Sequence, residues 1–201
     1  MLTFNDILTF SGVEPAEVKI LRHGTDDPRT YDAWRNDRER FEGYQSRQDR
    51  SEIPDKGYVA SFVVNRAGKN IFAGLYRIGA STVAPDGDVD PLTGHISGDG
   101  KRRIYELARV GGWEQYEGRL VIDWPTGNAG RLWHRNVTSR LWLVLEIADQ
   151  HDRWPGWRAF HCDADALATL PSNWRDLLTH TKGVYVLMDL DDHGKLYVGS
   201  A

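Results

Sequence analysis

The sequence predicts an α+β fold: a curved or barrel-like, mostly antiparallel sheet with N-terminal helices, followed by a further helix and a closing β-hairpin. Three observations lead there. Six or more short runs rich in β-branched and aromatic residues, separated by turn signals, lie between Tyr58 and Ile147, the pattern of antiparallel strands. Helical patterns sit before and after these runs and not between them, which disfavours parallel βαβ winding. The composition, 40% hydrophobic and 27% charged over 201 residues, is that of a globular chain long enough to bury a sizeable core.

Taken in order, residues 4–10 and 14–17 are short helical turns, the second opened by Glu14-Pro15. Residues 18–21 alternate weakly as a short strand. Residues 31–47 form one helix, with Trp34, Phe41 and Tyr44 on related faces and Arg35, Asp37, Arg38, Glu39 and Arg40 in polar, ion-paired positions. Residues 58–64 and 71–78 flank a turn and pair as a hairpin. Residues 79–103, rich in Gly, Asp and Pro, form a long exposed loop. Its run Asp86-Gly87-Asp88-Val89-Asp90 is a solvated acidic segment, because Pro91 and Ser97 stand where a calcium loop needs Gly and Glu. Strands follow at 104–110, 119–124, 131–135 and 142–147. Residues 159–162 add a short strand, 163–169 a helical turn and 171–178 a helix. The predicted domains are a β-rich module over 1–170 and a connector with hairpin over 171–201.

Several classes of protein are excluded. No apolar run approaches a membrane span, and the N-terminus lacks a basic leader region, so a cytoplasmic location is expected. The single cysteine, Cys162, cannot form an internal disulfide and is expected in the core. The histidines lack zinc-site spacing. A net charge of −4 argues against nonspecific coating of nucleic acid, so any DNA contact must use a local basic face.

The most specific pattern lies at the end. Gly183-Val184-Tyr185 and Tyr197-Val198-Gly199 bracket an apolar strand, the turn Asp191-Asp192-His193-Gly194 and a second strand. These triplets at this spacing resemble the opening of the GIY-YIG nuclease family, metal-dependent enzymes that hydrolyse DNA phosphodiesters. The resemblance implies that residues 183–201 are the first hairpin of that nuclease domain. It also implies that Tyr185 and Tyr197 belong to an active site, one of them helping to activate water, with Gly199 allowing close approach of substrate. The family's arginine and metal-binding glutamate would fall after Ala201. No cofactor is therefore expected in this fragment, a divalent metal (Mg or Mn) is expected for the full nuclease, and this polypeptide is expected to be inactive.

The preceding module, through residues 57–78 and 105–124, is weakly similar to the PUA, EVE and SRA-like folds, some of which recognise modified or flipped bases. The eight tryptophans supply material for a stacking pocket. The candidate reader pairs Trp124 with Asp123 at a strand end, with Tyr31 and Trp34 as a second wall. Candidate phosphate contacts are Lys101, Arg102, Arg103, Arg131 and Arg135, and Gln45 and Arg47 are types that reach base edges. The expected partner is double-stranded DNA, with modified DNA as one candidate target. A homodimer would suit double-strand cleavage. A Trp-rich surface for RNA or protein is the alternative.

Overall fold

Thr3 and Asp6 start the first helix by capping each other. The Thr3 hydroxyl accepts from the Asp6 amide at 3.1 Å, and the Asp6 carboxylate accepts from the Thr3 amide at 2.9 Å. The computed structural model that shows this describes residues 1–24, 29–49, 53–96, 100, 102–125, 134–148, 156, 160–189 and 195–200. The chain divides into two compact units, Met1–Arg153 and Trp154–Ala201, ahead of the boundary expected at residue 170.

The first unit contains α1 (Phe4–Phe10), β1 (Val18–His23), α2 (Arg29–Asn36), α3 (Arg38–Gln45), β2 (Arg47–Asp49), β3 (Tyr58–Val64), β4 (Asn70–Val83) and β5 (Arg102–Arg109). β6 (Leu120–Ile122), β7 (His134–Asn136) and β8 (Val144–Ile147) complete it. The strands form one strongly curled, half-barrel sheet in the order β2-β5-β4-β3-β1-β7, with β6 paired to β4 and β8 to β6. The predicted α+β class and the hairpin of β3 with β4 are both present.

One pair departs from the antiparallel rule. β1 runs parallel to β3, Val18 beside Tyr58 through His23 beside Val63. The intervening α2 and α3 carry the chain back across the sheet, as a parallel connection requires. The single helix expected over 31–47 is thus two helices. Asp37 breaks it: its carboxylate accepts the Arg40 amide at 3.2 Å and caps α3.

The sheet buries both faces. Phe4, Ile7 and Leu8 of α1 pack with Phe62, Phe72, Leu75, Leu120, Ile122 and Trp142 on one side. The Phe4 and Phe62 rings meet edge-on at 5.3 Å. On the other side Leu21, Val59, Tyr76, Ile78 and Tyr105 form a second cluster, and α3 reaches this face through hydrogen bonds to Ser61 and Tyr76.

The long loop is shorter than its composition suggests, because β4 continues to Val83. Two of its aspartates are not solvated. Asp90 is buried and accepts from the Leu92 and Thr93 amides at 2.9 and 2.8 Å, an Asx-type turn. Asp88 grips Arg47.

The second unit contains a 3-10 turn (Ala164–Thr169), α4 (Ser172–His180), β9 (Val184–Asp189) and β10 (Lys195–Ser200). The strand expected over 159–162 is absent from its described residues, 160–162. Cys162 is exposed and not a core residue, since no regular element there carries it inward. Among the described residues, no helix is long and apolar enough to cross a membrane.

Phe4 joins α1 to both aromatic strands, so Phe4→Ala is expected to lower the unfolding free energy by about 3–5 kcal/mol. Urea denaturation reads this directly; a shift under about 1 kcal/mol would show that the α1 face does not hold the unit together.

Candidate functional site

β3 and β4 are out of phase at one point. Ser61 lies opposite Gly74 but Phe62 lies opposite Phe72, so Ala73 is an extra residue, a β-bulge. The bulge resets the alternation of β4. Phe72 and Leu75 therefore face the α1 core, while Gly74 and Tyr76 face α3.

A polar constellation gathers around that point. The Ala73 carbonyl accepts from Trp34 Nε1 at 3.2 Å and from Arg38 Nη1 at 3.0 Å. Arg38 also hydrogen-bonds Glu117 through Nη2 and lies 3.4 Å from Glu42 one helical turn on. Arg109 donates to the other oxygen of Glu117 at 2.7 Å. Tyr76, fully buried, donates its hydroxyl to Glu42 at 3.2 Å. Gln45, also fully buried, accepts from the Ser61 hydroxyl at 2.6 Å. Its amide faces the Tyr76 hydroxyl, and that hydrogen bond works against the larger effect of burial on the phenol. Gly74, at φ +151°, lets Tyr76 and Glu117 pack directly against the strand, since a Cβ there would lie 3.1 Å from the Tyr76 hydroxyl and 3.2 Å from Glu117 Oε1.

The electrostatics follow from the enclosure. Burial pushes the Tyr76 phenol well above its usual range; Arg38 opposes that shift and Glu42 adds to it. Tyr76 is accordingly a fixed donor at all ordinary pH. The Glu117 hydrogen bond raises the Arg109 guanidinium further. The side chains of Arg38, Glu42 and Arg109 are 29%, 34% and 43% exposed, so the constellation reaches solvent along that side. Also beneath α3, His23 sits edge-on to Phe41 and Tyr44 at 5.6 and 5.4 Å. Its Nε2 has no partner, and burial pushes it down to about 3.

The residues expected to read DNA are dispersed. Trp34 and Gln45 belong to the constellation just described. Tyr31 is buried behind Trp34, its ring 5.8 Å away and its hydroxyl accepting from Arg35. Trp124 is buried, 4.9 Å from Trp142, and Arg22 covers it at 5.3 Å, so it is a core wall and not an open stacking face. Asp123 lies 3.6 Å from Arg140.

Arg47 is fully engaged by Asp88 at 2.9 and 3.1 Å and by the Gly43 carbonyl at 2.7 Å. Arg103 holds the Ser81 hydroxyl and carbonyl. Arg102 is half-buried at the start of β5, and Arg135 lies on β7 opposite Ile20. Lys101 and Arg131 lie outside the described residues.

In the second unit, Tyr185 lies opposite Gly199, two residues beyond Tyr197, so the two tyrosines share one hairpin face. They are 48% and 56% exposed. Any side chain at position 199 would overlap the Tyr185 ring. The space that Gly199 leaves is taken by that tyrosine. The opposite face carries Val184, Val186, Met188, Leu196 and Val198, all exposed. The turn residues 191–194 lie outside the described residues. Among the described residues no three His, Cys, Asp or Glu side chains gather as a metal site.

Comparison with protein-family models, curated proteins and solved structures finds no match to this chain. The functional reading therefore rests on its own residues. Sequence reasoning missed Tyr76, Glu42, Arg38, Glu117, Arg109 and Ser61. The available signals were the Arg38–Glu42 spacing and a phenol inside an otherwise apolar strand.

Gly74→Ala is expected to destabilise the first unit by about 1–3 kcal/mol, through its backbone and the crowded Tyr76 hydroxyl. A neutral result in denaturant unfolding would remove the bulge as a constraint. His23 gives a pH signature. Between about pH 6.5 and 3 the unfolded chain binds a proton at His23 that the fold refuses, so stability falls as pH drops through that window. His23→Phe should flatten the fall between about pH 6.5 and 4.5, before most carboxylates titrate. An unchanged slope would place the effect elsewhere.

Proposed function

We propose that this chain is the DNA-recognition portion of a GIY-YIG endonuclease of restriction or defence type. The β-rich unit selects the site, and the hairpin begins the domain that cuts. The observation that carries the proposal is the two-faced hairpin. Tyr185 and Tyr197 project together from one face, and five exposed apolar side chains cover the other. A two-stranded hairpin is marginally stable alone, so the apolar face calls for packing and leaves the tyrosine face for substrate. A phenol within hydrogen-bond reach of a water can orient it or take part in its proton transfer. Phosphodiester hydrolysis also needs positive charge on the phosphate, which the resemblance assigns to an arginine and a metal-bound glutamate beyond Ala201.

The first unit is the reader. Its constellation encloses hydrogen-bonding groups beside Trp34, and base recognition needs such groups together with an aromatic surface. The partner is double-stranded DNA, with a modified base as one candidate target. The protein acts in the cytoplasm, and two copies would allow both strands to be cut.

Fluorescence anisotropy with duplex DNA and RNA competitors tests the reading. Duplex DNA should bind preferentially, with affinity falling as salt rises. Supplied with Mg or Mn, the polypeptide should bind DNA without nicking supercoiled plasmid. Equal competition by RNA would sink the DNA assignment, and robust nicking would sink the division of labour.

A further inference from the structure

We infer that the sheet edge formed by β1 and β7 is the track for the DNA backbone, with Lys19, Arg22, His134 and Arg135 meeting its phosphates. The inference rests on the DNA-recognition reading and names the surface that takes the backbone, which that reading leaves open.

Strand register brings the charge together. β7 ends the strand order and runs antiparallel to β1, with Leu21 opposite His134 and Ile20 opposite Arg135. Side chains alternate between the two faces along a strand. Lys19 and His134 therefore stand diagonally on one face, and Arg22 and Arg135 stand diagonally on the other. Four basic side chains thus meet at one edge, in a chain whose net charge is −4. Like charges brought together across strands cost stability. His134 registers that cost, since burial, then Lys19, then Arg135 depress its affinity for a proton. A polyanion laid along β7 relieves the repulsion.

The edge is also prepared for such a partner. Arg22 is held in place, its Nε donating to Asn70 Oδ1 at 2.8 Å and its guanidinium lying over the Trp124 ring. A cation already held by its neighbours loses less freedom on meeting a phosphate. From Lys19 to Arg22 the edge runs about 10 Å, a length over which duplex DNA carries about six phosphates. Charge spread over that length suits a repeating backbone better than a single anion. Other arginines expected at DNA are committed inside the fold, Arg47 to Asp88 and Arg103 to Ser81. Charged edge strands also guard against edge-to-edge pairing, a role that salt-dependent DNA affinity separates from phosphate contact.

The test uses the full chain and duplexes of two unrelated sequences, with anisotropy read across a salt series. Each lost phosphate contact lowers the slope of log affinity against log salt by about 0.9. Lys19→Gln and Arg135→Gln should each lower it by that amount and weaken both duplexes alike. Arg40→Gln, at an exposed position of α3, should leave it unchanged. Thermal unfolding checks that the variants fold. A second measurement needs no variant: bound DNA should protect Lys19 of the wild-type chain from acetylation, read by mass spectrometry. A wild-type slope in either variant, or an unprotected Lys19, with DNA still bound, overturns the inference and leaves DNA recognition standing. An equal loss of slope in the Arg40 variant overturns it as well. Absence of binding to every duplex overturns both readings.

Discussion

One extra residue in one strand organises the first unit. Had β4 continued its alternation through Ala73, Phe72, Gly74 and Tyr76 would share a face, and the phenol would enter the α1 core among phenylalanines. The bulge avoids that burial of an unpaired hydroxyl. It keeps Phe72 and Leu75 beneath α1 and sends Tyr76 to the side where Glu42 can accept its proton. It also presents the Ala73 carbonyl to Trp34 and Arg38. Both helices of the α2–α3 pair are thereby tied to the same irregular point of the sheet. Bulges commonly re-aim side chains beside functional sites, and this one supplies the whole constellation with its frame.

The charges attached to that frame are balanced. Arg38 and Arg109 share Glu117, and Arg38 also faces Glu42. A wholly exposed set of such pairs would contribute little to stability. Here the shared Glu117 is only 15% exposed and two of its partners are partly sheltered, so the pairs mainly fix orientation. The consequence is a carboxylate at Glu42 placed next to a phenol whose ionisation burial opposes.

Local patterns in the sequence predicted local structure well. The apolar, β-branched run of β3 and the turn after it predicted the hairpin with β4, and the helical turn expected over residues 4–10 is α1. The bulge was hidden because Phe72-Ala73-Gly74-Leu75-Tyr76 is as apolar as any regular strand. Asp37 was hidden because a polar residue in a polar helix face gives no sign that it is a cap. Long-range pairing was the larger loss. Arg47 looks like a DNA contact until Asp88, in a loop remote along the chain, takes two of its three guanidinium nitrogens. Trp124 looks like a stacking platform until Trp142 and Arg22 cover it. The constellation itself draws on α3, β4, β5 and the segment before β6, and no single window of sequence contains enough of it to be recognised.

The two units depart from ordinary burial in opposite directions. The first encloses hydrogen-bonding groups, among them His23 Nε2, in an interior that normally satisfies them. The second displays valine, leucine and methionine on a strand face that normally packs. A bare polar group favours a partner with complementary polar edges, and an open apolar face favours one that packs without direction. The same chain thus offers directional chemistry in one unit and non-directional packing in the other, with two tyrosines on the hairpin face that packing leaves free. That contrast fits the proposed division between selecting a target and acting on it. It is a physical reason to seek recognition in the curled sheet and catalysis on the hairpin.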